Sequence, residues 1–128
     1  MIRSGSYSVW FRTLLGEGTG IVELEDGKVT GGDTVFDYTG TYFENGDEFS
    51  AYVSTRRHTQ GHPSVFGIDE FDLTLIGKST PTFASCTGRA KQLPDMAFEA
   101  VFIRIEDRPS GVRAQSRFIR PQMKEAAN

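Results

Sequence analysis

Over much of its length this chain alternates apolar and polar residues one by one, and that period of two constrains the fold more than any other feature. Tyr7, Val9 and Phe11 alternate with Ser6 and Ser8, and Trp10 breaks the polar side. Phe36, Tyr38, Gly40 and Tyr42 alternate with Asp37, Thr39 and Thr41. Phe49, Ala51 and Val53 alternate with Glu48 and Ser50, and Phe71, Leu73 and Leu75 with Asp72 and Thr74. Successive side chains of an extended strand point to opposite faces, so each run gives a sheet one dry face and one wetter face.

Turn chemistry separates these runs. Asp26-Gly27 and Asn45-Gly46 each lie between strand-like segments and favour the type I′ turn of a tight hairpin. Gly31-Gly32 offers another turn, and all five prolines fall outside the best alternating runs, where a strand needs its amide donors. Strands are expected near residues 5–12, 19–25, 28–30, 33–43, 47–57, 69–77, 82–91 and 97–106. Short strands joined mainly by short links predict an all-β, eight-stranded antiparallel up-and-down barrel, because closure removes exposed edges. A two-sheet sandwich is the alternative, and tight sequential hairpins favour the barrel. An eight-stranded barrel has room inside for side chains or for one small ligand.

A chain of 128 residues fits one domain, read here as a barrel over 1–106 followed by an irregular basic tail over 107–128. That tail is expected to be extended, or briefly helical near Gln122 to Ala127. The last strand is apolar on both faces, with Phe98 and Phe102 on one and Val101, Ile103 and Ile105 on the other. Such a strand must be covered twice, by the C-terminal tail or by another copy of the chain, and a homodimer is expected because the tail is a poor cover.

Charge narrows the function classes. Residues 1–106 carry nine basic and fifteen acidic side chains, a balance of −6, and residues 107–128 carry five and two, a balance of +3. From Glu17 to Glu48 there are nine acids and one base, Lys28, so the folded part would repel a phosphate backbone. No run approaches the roughly 18 apolar residues of a transmembrane helix. Met1 to Ser6 holds no apolar signal segment, and a cytoplasmic protein is the expectation. The lone Cys86 sits in an apolar run and reads as a buried structural thiol.

Nothing in the sequence assembles a catalytic centre, and no cofactor or metal is implied. His58 and His62 are spaced for one helix face, yet Gly61 and Pro63 make a helix there improbable. The run Gly16-Glu17-Gly18-Thr19-Gly20 lacks dinucleotide spacing and reads as a flexible turn. Asp69, Glu70 and Asp72 are carboxylates that nothing draws into a cleft, and Arg56-Arg57 reads as a strand-end pair. The aromatic content is more informative. Tyr7, Phe11, Tyr38, Tyr42, Phe49 and Phe71 fall on dry faces, where they either line an apolar ligand cavity or fill a core, the filled core being the default.

Several short motifs also stand in a familiar order: Gly5-Ser6-Tyr7-Ser8-Val9, Gly18-Thr19-Gly20, Lys28-Val29-Thr30-Gly31-Gly32-Asp33, Tyr38-Thr39-Gly40-Thr41-Tyr42 and Pro63-Ser64-Val65 leading into Phe71-Asp72-Leu73. This order resembles the GrlR-like family of negative regulators of type III secretion, over roughly residues 5–77. The resemblance implies a bacterial, lipocalin-like, homodimeric barrel that performs no chemistry and sequesters a helix-turn-helix transcriptional activator through an acidic surface cluster. The matching positions are Glu44, Asp47 and Glu48, where Asn45-Gly46 interrupts the acidic run. The expected function is thus a protein-binding regulator, with a carrier of a lipid or small apolar ligand as the alternative.

Overall fold

A computed structural model describes residues 1–105, which form eight strands and no helix. They are β1 (Gly5–Thr13), β2 (Gly16–Glu25), β3 (Lys28–Gly32), β4 (Phe36–Asn45), β5 (Glu48–Arg57), β6 (Glu70–Thr80), β7 (Phe83–Ala90) and β8 (Leu93–Arg104). Each strand pairs antiparallel with the next, and β8 returns to β1, with Val9 opposite Phe102, to close a barrel. The architecture is the up-and-down barrel, not the sandwich. The basic tail over 107–128, and the helix expected as one alternative near Gln122 to Ala127, lie outside the described residues.

Local chemistry explains the hairpins. Asp26 and Gly27 both have positive φ, 53° and 79°, as a type I′ turn requires. The β4–β5 hairpin differs by one residue from the expected Asn45-Gly46 turn. Asn45 pairs with Glu48, so the turn residues are Gly46 and Asp47, and only Gly46 has positive φ, 66°. Glycine first, with positive φ there alone, is the type II′ pattern.

Strand limits also differ from the sequence expectation: β6 runs on to Thr80, and Gly31-Gly32 is no turn but the end of β3, paired with Val22 and Ile21. Gly16 to Gly20 is no flexible turn; it is the first half of β2 and pairs with Val9 to Thr13. Gly18 and Gly20 are needed there because a Cβ at Gly18 would lie 2.9 Å from the Phe11 ring, and one at Gly20 would lie 2.7 Å from the Tyr38 ring. β4 starts at Phe36, because Asp33 Oδ1 accepts the amides of Val35 and Phe36 at 2.8 and 2.7 Å and bends the chain. β8 starts at Leu93 despite Pro94, which has no ladder partner there, since pairing beyond Leu93 resumes only at Phe98.

Inward positions follow the alternation. Phe36, Tyr38, Gly40, Tyr42 and Glu44 point into the barrel from β4, and Phe49, Ala51, Val53 and Thr55 from β5. Phe98 and Phe102 are buried on β8, whereas Val101 is half-buried and Ile103 and Ile105 are exposed. Cys86 is buried.

The two ends of the barrel are closed differently. At one end the N-terminal segment folds over the opening: Ile2 is buried, its amide donates to Glu44 Oε2 at 2.7 Å, and Arg3 N donates to Pro81 O. Tyr42 stacks on Phe49 with centroids 5.8 Å apart, Phe49 lies 5.7 Å from Phe102, and Tyr7 and Leu24 are fully buried beside them. At the other end the long connection over residues 58–69 lies across the strands. Ser64 ties its turn by accepting Phe66 N and Ile68 N and donating to Ile68 O. Phe66 packs on Phe71 and Phe98, and Thr13 donates to Val65 O.

Candidate functional site: the barrel cavity

The cover over this second end is incomplete, because β3 is short. β2 pairs with β3 only from Ile21 onward, so Gly16 to Gly20 has no partner strand on that side. The gap opens into a cavity of about 750 Å³ that runs from the outer-face residues Ser8, Thr19 and Ile21 at the gap into the barrel interior. Leu15 and Gly16 from the β1–β2 hairpin, Gly32 to Thr34 from the β3–β4 turn, and His62 to Val65 from the long connection border the mouth. The deeper wall is aliphatic and aromatic: Val22, Val29, Val53, Leu73, Leu75, Phe98, Ala100 and Phe102.

The six aromatic residues anticipated as cavity lining divide between the two ends. Phe11, Tyr38 and Phe71 line the cavity. Tyr7, Tyr42 and Phe49 also point inward but stand outside that lining, in the packed end of the barrel. Phe11 meets Tyr38 edge-on at 6.3 Å and stacks on Phe98 at 6.0 Å, which fixes one side of the wall.

Polar groups in the cavity are few. Tyr38 Oη donates to Asp33 Oδ2 at 2.6 Å. Burial, and then the Asp33 carboxylate, push the phenol far above its ordinary value, so it stays a neutral hydroxyl. Thr55, opposite Tyr38 on the neighbouring strand, is also in the wall. Neither Asp33 nor Thr55 stood out in the sequence. Thr55 had a signal, since it continues the inward series Phe49, Ala51, Val53 with a polar residue. Asp33 had none beyond its place after Gly31-Gly32.

The acidic residues of the β4–β5 hairpin are also divided. Glu44 faces inward, and its Oε2 accepts from Ile2 N and from Ser79 Oγ, both at 2.7 Å. Asp47 and Glu48 are exposed, with carboxylate oxygens 3.6 and 4.0 Å from Lys78 Nζ. His58 and His62 stand apart in role: His58 Nε2 lies 3.2 Å from Asp33 O, and His62 borders the mouth. Arg56 and Arg57 pair with Glu70 and Asp69 at 2.8 and 2.7 Å, and Asp72 is held by Ser54 and Gln92. Those two hydrogen bonds, Ser54 first, hold the Asp72 carboxyl below its ordinary value. No group of three metal-binding side chains occurs among the described residues.

The chain matches no protein-family model and no curated protein. Among the described residues no helix is long and apolar enough to cross a membrane.

Proposed function

We propose that this protein binds one small apolar molecule inside its barrel and acts without catalysing a reaction. The observation that carries the reading is the cavity of about 750 Å³, apolar in its depth and open beside the short β3. Ligand sites commonly measure several hundred Å³, with mostly apolar walls and a few placed polar groups. A core built for stability alone would fill this space, because atoms facing a void lose their dispersion partners. Titration with the hydrocarbon dye diphenylhexatriene tests the reading. One saturable site per chain is expected, and Val53→Phe, which adds bulk to the wall, should remove it. A folded protein that takes up no dye would overturn it.

A second reading follows the GrlR-like resemblance: a regulator that sequesters a helix-turn-helix activator. The exposure of Asp47 and Glu48 at the hairpin tip favours it, since charges there can steer a basic partner. The double charge reversal D47K/E48K should then abolish capture of that partner in a pull-down. A cytoplasmic homodimer belongs to the same reading, with the second copy on the outer face of β7, β8 and β1, where Phe83, Ile103 and Trp10 are exposed. Sedimentation equilibrium would show twice the chain mass.

A further inference from the structure

Resting on the ligand-binding reading, we propose that the molecule held is an uncharged or cationic one whose apolar body carries a hydrogen-bond donor, met by Thr55 and the Tyr38–Asp33 pair, and not a fatty-acid anion. Thr55 carries the first part. It is only 4% exposed, it lines the cavity, and its hydroxyl has no hydrogen bond to any described residue. Buried hydroxyls are ordinarily paired, so one left open inside a cavity marks where a ligand's polar group belongs.

Tyr38 sets the sense of that group. It stands directly opposite Thr55 in the β4–β5 ladder, and its one proton is committed to Asp33 Oδ2. What remains at Tyr38 Oη is an acceptor. The Asp33 carboxylate beside it favours a donor or a positive charge over an anion. At the mouth, His62 Nδ1 lies 3.0 Å from Pro63 O and donates to it.

The distribution of cations completes the argument. No Lys or Arg lines the cavity, whereas the Asp33 carboxylate stands at its mouth; Glu17, on the outer face of β2, accepts from Trp10 Nε1. The guanidinium of Arg57 is engaged by Asp69 Oδ1, Thr59 O and His62 O, and lies 4.8 Å above the Phe36 ring. Arg104 belongs to the opposite end, where its charge acts on Tyr7. A carboxylate drawn inside would lose its water without gaining a cation, which is the costliest form of burial.

The test is displacement of bound diphenylhexatriene by three ligands of one chain length at pH 7.5: decanol, decylamine and decanoate. Decanol and decylamine are expected to displace the dye at concentrations about tenfold below decanoate. Thr55→Val, which keeps the side-chain shape, should weaken decanol about threefold to tenfold and leave the dye, which has no donor, unchanged. The same variant, free of ligand, should melt higher than the native chain, because a methyl replaces an unpaired buried hydroxyl. Decanoate binding as well as decanol would overturn the inference while leaving the cavity reading intact. So would a Thr55→Val variant that loses dye and alcohol equally. Failure of the native protein to bind the dye would instead bring down the underlying reading.

Discussion

β2 passes from one end of the barrel to the other, and its inward residues grow along the way: Gly18, Gly20, Val22, Leu24. Where the strand starts, the glycines leave room for the rings of Phe11 and Tyr38 and for the mouth beside them. Where it ends, Leu24 packs with Tyr7 and Phe49, all fully buried, beneath the N-terminal cover. Both ends obey the same alternation of faces. They differ in the volume placed at inward positions, and volume decides whether a barrel end is solid or hollow. Electrostatics differ in step. The solid end satisfies its one inward carboxylate, Glu44, with Ile2 N and Ser79 Oγ, whereas the hollow end leaves Thr55 open.

This contrast can be broken by mutation. The largest effect is expected from Phe49→Ala, which should cost about 3–5 kcal/mol in denaturant unfolding because its pocket has no slack. Phe11→Ala, at the cavity wall and half-buried already, should cost about 1–2 kcal/mol. Equal losses at both sites would mean that the two ends are packed alike. Next comes Glu44→Ala, which orphans two donors and should cost about 2 kcal/mol. Asp47→Ala and Glu48→Ala, on the same hairpin but outside, should stay within about 0.5 kcal/mol by the same measurement.

Gly20→Ala sharpens the comparison from the hollow side. The new Cβ would meet Tyr38 Oη at 2.8 Å and force the ring away from Asp33. A loss of about 1 kcal/mol is expected, together with weaker dye uptake, which the Phe49 variant need not show. Retained uptake would separate the Tyr38 position from the shape of the cavity.

The last effect shows only at alkaline pH and is set by Cys86, on the inner face of β7 outside the cavity lining. Burial pushes this thiol from 9.0 up to about 12. Between those values the unfolded chain releases the proton and the folded chain keeps it, so this contribution to stability is constant below pH 9 and falls as pH rises toward 12. The difference in urea midpoint between the native chain and Cys86→Ala should therefore change only at alkaline pH. A thiol reagent that labelled Cys86 at pH 8 as fast in the folded as in the unfolded protein would show the wall to be open there.

Much of the barrel was legible because facing is a local property. Runs such as Phe49-Ser50-Ala51-Tyr52-Val53 declare their inward side without reference to any other strand, and the six anticipated aromatics all point inward. Glycine and proline misled where a distant partner overrode them. Gly16 to Gly20 read as a turn because the Phe11 and Tyr38 rings that require those glycines are brought there by pairing and closure. Glu44 read as part of an exposed cluster, although two residues on from Tyr42 it continues an inward series.

By itself, then, the order of residues determined that this protein is a set of antiparallel hairpins with one dry side, because strand period and turn preference act over a few residues. Which inward side chains share a level, where β8 meets β1, and where the wall is left open were decided only by register around the closed barrel. Those depend on pairings such as Val9 with Phe102 and Tyr38 with Thr55, made between residues far apart in the chain or fixed by a hairpin shifted by one position. The cavity exists at the level of that pairing, and so does the isolated hydroxyl inside it.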